Sequence, residues 1–241
     1  MAGLTALALG RRCHMKKEDI ILCGIYSAIG GLIGAKLGFI LAHAGGIADL
    51  LRSGADWREL TAALISGGFV SFGGIIGGLI GFLLYCREFR VELDKLACCL
   101  IPAAPLLLAC CRLGCFCTGC CYGIVWDGAW AIVNTVSPVG INGTPLFPVQ
   151  LLACGLDLLL FCFMLLSPRL HYPAPGSRLM GAFLALYSAG RFGVEFLRGD
   201  HAHDIGPGLT GSQCFCLLLL AVGLYLWYRG RQRSKFADIY Q

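Results

Sequence analysis

The chain has 241 residues, 57% of them hydrophobic and only 14% charged, whereas ordinary soluble domains carry about 25% charged residues. A water-soluble fold is excluded, and the formal net charge of +5 has to be explained by membrane topology rather than by a nucleic-acid partner. Apolar stretches of roughly 20 residues, the length needed to cross a bilayer, recur along nearly the whole chain, so residues 1–241 read as one membrane domain.

Met1 to Gly10 is apolar but its positive charge follows it, so it is not a cleavable signal sequence. Six full spans are expected after it: about Asp19 to Ala44, Leu60 to Cys86, Lys95 to Cys111, Pro148 to Leu166, Leu179 to Leu197 and Leu209 to Tyr228. If the connections alternate sides, one side holds Arg11, Arg12, Lys16, Lys17, Arg87, Arg90, Lys95, Arg169, Arg178, Arg229, Arg231, Arg233 and Lys235. The other holds only Arg52, Arg58, Arg112 and Arg198. Lys and Arg accumulate in cytoplasmic loops, which predicts that both termini are cytoplasmic and that the segments around Arg52, Cys115 to Phe147 and Arg198 to Gly208 lie outside.

The first two spans carry dense glycines. Gly30, Gly31, Gly34 and Gly38 suit close helix packing. Gly67-Gly68, Gly73-Gly74 and Gly77-Gly78 are denser than packing needs, and each weakens a helix by about 1 kcal/mol, so a broken or re-entrant helix lining a polar cavity is expected there.

Fifteen cysteines are present. Those scattered on apolar segments behave as small hydrophobes. Cys110, Cys111, Cys115, Cys117, Cys120 and Cys121 crowd the outer end of the third span, where reactive, metal-binding and disulfide-bonded states all stay open. Gly114, Gly119 and Gly123 permit tight turns there, and Arg112 at the helix end reads as a cavity residue. With no His nearby and no second, separated Cys-x-x-Cys pair, no metal is expected. Trp126 to Leu146, rich in Gly, Pro and Asn, reads as a loop of turns and short strands covering the site, within an external segment of about residues 124–147.

The fifth span carries Tyr187-x-x-x-Arg191-x-x-x-Glu195-x-x-Arg198-x-Asp200. Four-residue spacing puts Tyr187, Arg191 and Glu195 on one helix face, with Arg198 one turn further along. Charge at membrane depth costs at least about 2.5 kcal/mol, so these groups must face the interior and find partners. One Glu between two Arg leaves net positive charge, which suits a phosphate-bearing head group. Arg191, Glu195 and Arg198 are expected to share one cavity with Arg112.

Gly67-Gly-Phe-Val-Ser-Phe-Gly-Gly-Ile-Ile-Gly77, Arg112-x-Gly-x-Phe-x-x-Gly-x-x-x-Gly123, Pro148-x-Gln150-Leu151 and the Tyr187 to Arg198 motif occur in the order and approximate spacing of prolipoprotein diacylglyceryl transferase, a family this chain resembles over nearly its whole length. The resemblance implies an all-α polytopic fold: six full transmembrane helices here, plus Ala2 to Gly10 as a truncated first helix of a seven-helix family fold. It implies a transferase in the bacterial inner (plasma) membrane, its site open to the outer side. The reaction would move a diacylglyceryl group from phosphatidylglycerol to the cysteine thiol of a lipoprotein precursor, or another thiol acceptor, with release of glycerol phosphate. No cofactor is implied.

Carried over residue by residue, the resemblance makes Arg112 and Arg191 phosphate-binding groups, with Glu195 and Arg198 completing the polar network. Gly73, Gly74, Gly114 and Gly119 would line the lipid site. The chain departs from the family pattern at Phe72 and Phe147, where the family has His, and at Leu32, where it has Arg. It departs again at Cys115, Thr118 and Cys120, where the family has Asn, Asn and Glu. A base for the attacking thiol is therefore not identified. Two further classes stay open: a related membrane transferase with Cys115 or Cys120 as nucleophile or carrier, since a thiol near Arg is partly ionised, and a non-catalytic lipid-binding or transport protein.

Overall fold

The computed structural model describes residues 2–13, 15–54, 56–66, 71–137, 141–167, 176–200 and 208–239. In chain order the helices are α1 (Ala2–Arg12), α2 (Lys17–Ala42), α3 (Ala44–Arg52), α4 (Trp57–Ser66), α5 (Ser71–Glu88), α6 (Leu93–Leu100), α7 (Ala104–Thr118), α8 (Val149–Leu166), α9 (Gly176–Glu195) and α10 (Gly211–Ile239). Between α7 and α8 two short strands, β1 (Ile132–Val133) and β2 (Pro145–Leu146), pair antiparallel, as the turn-rich composition of that segment predicts. The chain is thus an all-α membrane protein with one small ribbon.

Four segments among the described residues are long and apolar enough to cross a membrane: Lys17–Ala42, Leu93–Thr118, Val149–Leu166 and Gly211–Gln232. The second joins α6 to α7 through a 3-10 turn, Ile101–Ala103. Pro102 lies in that turn, and a proline lacks the N–H of the regular ladder, which favours local tightening. The predicted span Leu179 to Leu197 corresponds to α9, whose Arg178, Arg191 and Glu195 dilute its apolar character. The predicted span Leu60 to Cys86 corresponds to two helices, α4 and α5.

The helices gather into two units. In the first, α2 packs on α5 through their glycines. A Cβ built on Gly77 would fall on the Gly30 carbonyl, and one on Gly73 on the Gly34 carbonyl. Only glycine permits so close an approach, and dispersion between two bare backbones then replaces the hydrophobic drive that lipid does not supply. At one end, the buried Tyr85 hydroxyl donates to Asp19 Oδ1 at 2.9 Å. From Ser71 onward α5 is an unbroken helix, so Gly73, Gly74, Gly77 and Gly78 serve helix packing. The expected break is not found there, because the paired glycines are matched by a second glycine row on α2. Gly67 and Gly68 lie outside the described residues.

The second unit holds α1 and α6 to α10. Here α9 and α10 repeat the glycine device: a Cβ on Gly181 would meet the Trp227 backbone, and one on Gly223 would meet that of Ala185. Asp94, in the first turn of α6, accepts the Gly176 backbone N–H at 2.7 Å, satisfying one of the unpaired donors at the start of α9. The start of α10 is fixed by a capping box. Gln213 N–H donates to Thr210 Oγ1 at 3.2 Å, and Thr210 N–H donates to Gln213 Oε1 at 2.9 Å.

Gly77→Ala should lower the thermal midpoint of the protein in detergent, by the equivalent of about 1–3 kcal/mol of overpacking. Gly24→Ala, where a new Cβ meets nothing within 4 Å, should leave the midpoint unchanged or raise it. Equal effects of the two substitutions would contradict the glycine contact.

Candidate active site

Helical periodicity places Arg191 and Glu195 one turn apart on α9, and the side chains meet: Arg191 Nη1 lies 2.5 Å from Glu195 Oε2. Arg198, just beyond the helix, approaches the same oxygen at 3.9 Å. The Glu195 side chain is fully buried, so the guanidiniums are what make its charge tolerable there. Its other oxygen, Oε1, accepts a 3.3 Å hydrogen bond from Thr210 Oγ1. The capping box that starts α10 thus also aims Thr210 at Glu195.

Arg198 has a second partner that spacing does not reveal. Its Nε donates to Asp200 Oδ1 at 2.9 Å and its Nη2 to Asp200 Oδ2 at 2.6 Å, a two-pronged fork. Burial opposes the Arg198 charge, but Asp200 and Glu195 outweigh it and hold the guanidinium protonated. The backbone fixes Arg198 through a bridge to Gly123. A Cβ on Gly123 would fall on the Phe147 carbonyl, so the third glycine of the Arg112 motif permits that contact.

Arg112, Tyr187 and Arg191 line one cavity of about 270 Å³ whose remaining wall is largely apolar, including Leu156, Leu160 and Phe163. Glu195 and Arg198 line a neighbouring space of about 320 Å³ with Thr210 and Gln213. The expected single cavity is therefore two, with the Glu195 carboxylate linking Arg191 on one side to Arg198 on the other.

Asp157, buried on α8, also lines the first cavity. Sequence reasoning missed it, although a signal was available. It is the one charged residue in the eighteen of α8, and an ionisable group at membrane depth is a functional candidate by default.

The cysteine run ends α7 in a left-handed turn. Gly119 caps the helix with φ 69°, and Cys121 also has a positive φ, 54°, a conformation that costs a non-glycine residue about 1 kcal/mol or more. The reversal brings the Sγ atoms of Cys115, Cys120 and Cys121 within 4.8 Å of one another. Gln150 Nε2 donates to the Cys120 carbonyl at 2.8 Å, and Ser137 Oγ donates to the Gly119 carbonyl at 2.9 Å. At Cys120 burial disfavours the thiolate, but hydrogen bonds from Thr118, Cys115 and Cys121 prevail and lower its pKa. Burial and the nearby Cys120 raise that of Cys121, against the pull of Arg198. Cys110, Cys111 and Cys117 are exposed and stand apart from the three.

Of the residues singled out in the sequence, Arg112 and Arg191 are thus brought together, as are Glu195 and Arg198, and Cys115 and Cys120. Gly119 shapes the thiol turn. Gly114 has open space where a side chain would stand, and Gly73 and Gly74 lie in the α2–α5 contact. The side chain of Phe72 lies outside what the structure describes.

The profile of the prolipoprotein diacylglyceryl transferase family matches residues 1–229. The phosphatidylglycerol–prolipoprotein diacylglyceryl transferase of Clostridium tetani is 30% identical over 219 residues, covering 91% of this chain and 84% of that protein. A second enzyme of that name from Clostridium perfringens is 28% identical over 97% of this chain and 88% of its own length. The Bordetella bronchiseptica enzyme is 32% identical over 93% of this chain and 84% of its own. No solved structure matches. With a match to the family profile over nearly its full length and relatives at about 30% identity, the chain is a membrane transferase that belongs to the prolipoprotein diacylglyceryl transferase family.

Proposed function

We propose that this chain moves a diacylglyceryl group from phosphatidylglycerol to the cysteine thiol of a lipoprotein precursor, releasing glycerol phosphate. The observation that carries the reading is the cavity shared by Arg112 and Arg191, two guanidiniums against an apolar wall. The apolar wall suits acyl chains. The guanidiniums suit the phosphate, and they stabilise the negative charge that develops on the departing glycerol phosphate. Arg198 and Glu195 fix Arg191 from the other side. Asp157 faces the same cavity and competes with the phosphate for its guanidiniums, tempering their hold on the anion. Gly114 and Gly119, at the end of α7, flank the thiol turn on the Arg112 side of this site.

In this reading the protein lies in the bacterial inner membrane with both ends cytoplasmic and the site opening to the outer side, an orientation supported by the concentration of Lys and Arg in the loops on one side. Six helical passages cross the bilayer, the short α1 precedes them, and residues 124–147 form an external loop within a single transferase domain. A reporter fused after Gln241 tests the orientation: green fluorescent protein should fluoresce and alkaline phosphatase should be inactive. An active phosphatase there would overturn it.

Cells depleted of their own diacylglyceryl transferase should regain mature lipoprotein when they express this chain, and failure with confirmed membrane expression would contradict the reading. In the same assay Arg191→Ala should abolish maturation while the protein stays in the membrane. Arg191→Lys should lose about 100-fold, because a point charge does not reproduce a two-pronged phosphate contact. Full activity of the Lys variant would rule out the clamp.

Asp157→Asn removes a competitor for the guanidiniums, so KM for phosphatidylglycerol should fall several-fold while kcat stays within about tenfold of the parent. Complete loss of turnover with unchanged lipid affinity would instead make Asp157 a proton acceptor.

A further inference from the structure

The three thiols at the end of α7 are a built arrangement that the phosphate clamp does not use. We propose that Cys115, Cys120 and Cys121 form a three-thiolate site for a zinc-class divalent ion, whose fourth position takes the acceptor thiol. This rests on the transfer reading above for the identity of that fourth ligand, though not for the site itself.

The pattern Cys-x-x-x-x-Cys-Cys does not resemble the paired ligands of a zinc ribbon, which is why spacing alone argues against metal. The fold supplies what spacing lacks. Two left-handed residues, Gly119 and Cys121, turn the chain back on α7 and bring the three Sγ atoms within 4.8 Å of one another. Thiolates around one zinc ion at about 2.3 Å stand about 3.8 Å apart, so closure needs side-chain movement on the order of 1 Å.

The surroundings are those of a ligand set held in place. Thr118 Oγ1 donates to Cys120 Sγ at 3.2 Å, the kind of outer contact that orients a metal ligand. Gln150 and Ser137 pin the carbonyls of Cys120 and Gly119. Three thiolates and a divalent ion sum to a single negative charge, and the Arg198 guanidinium acts electrostatically on Cys121. Among the described residues no fourth His, Cys, Asp or Glu joins the three, and a zinc site with three protein ligands keeps an open position for substrate.

That position offers a way to ionise the acceptor. Cys115 follows Arg112 by three residues on α7, one turn from the phosphate-binding cavity. An acceptor thiol that binds the ion gives up its proton to solvent. Its sulfur then attacks the glyceryl carbon of phosphatidylglycerol. The new S–C bond forms as the C–O bond to phosphate breaks, and glycerol phosphate leaves with the electron pair.

The full chain, purified in detergent under reducing, chelator-free conditions, should contain about one zinc per molecule by elemental analysis. Cys115→Ser, Cys120→Ser and Cys121→Ser should each lose most of it, and Cys117→Ser should keep it. Cobalt added to stripped protein should give thiolate-to-cobalt absorption in the near ultraviolet. Stripping should lower transferase activity at least about tenfold and zinc should restore it. Zinc bound by these thiols in a protein with no transferase activity in any form would support the site and refute the transfer reading. An active enzyme that binds no zinc, or keeps full activity when stripped, would overturn this proposal and leave the transfer reading intact. A disulfide among the three cysteines in the freshly isolated protein, seen by mass spectrometry, would also overturn it.

Discussion

Everything at the site depends on burying one carboxylate. Glu195 has no exposed side-chain surface, and its charge is sustained by Arg191 at 2.5 Å and Arg198 at 3.9 Å. Removing one member of such a buried group costs about 3–5 kcal/mol, because a lone charge is left behind. Glu195 thereby fixes Arg191 in the cavity that also holds Arg112, and fixes Arg198 next to the thiol turn. Asp200 takes a second face of Arg198, while Arg112 and Arg191 line the largely apolar cavity.

Each of the two units is held by backbone proximity between glycine-bearing helices. Glycine rows join α2 to α5 in one unit and α9 to α10 in the other. The α9–α10 contact matters for chemistry, because α9 carries Arg191 and Glu195 while the start of α10 presents Thr210 to Glu195. A capping box that ends one problem, the unpaired N–H groups of α10, so supplies the last hydrogen bond to the buried acid.

Much of this was legible in the sequence for a definite reason. Tyr187, Arg191 and Glu195 recur every four residues, and charges on an apolar helix must meet in the interior, so period and cost together predicted the pairing. Each of the four segments apolar enough to cross a membrane overlaps a predicted span. What the sequence hid depends on contacts across chain breaks. Asp157 stands alone on α8, with no periodic partner to flag it. Asp200 and Arg198 both lie beyond the end of α9, where helical periodicity no longer says which side chains meet. Cys115, Cys120 and Cys121 converge only because the turn reverses. The packing role of Gly73 and Gly77 is hidden in the sequence because their partner row lies roughly forty residues upstream, about the separation of Gly34 from Gly73.

The departures read from the resemblance remove proton-handling groups at Phe72, Phe147 and Cys120 and one guanidinium at Leu32, while Arg112, Arg191 and Arg198 stand where the resemblance expects them. Anion binding is thus the part of the proposed function on which the retained arginines bear. Native mass spectrometry of the protein released from mixed-lipid nanodiscs measures it directly. If Arg112 and Arg191 clamp a phosphate-bearing head group, phosphatidylglycerol should be retained over diacylglycerol of the same acyl chains, and a double Arg112→Gln, Arg191→Gln variant should lose the preference. Equal retention of the two lipids by the parent chain would contradict the clamp.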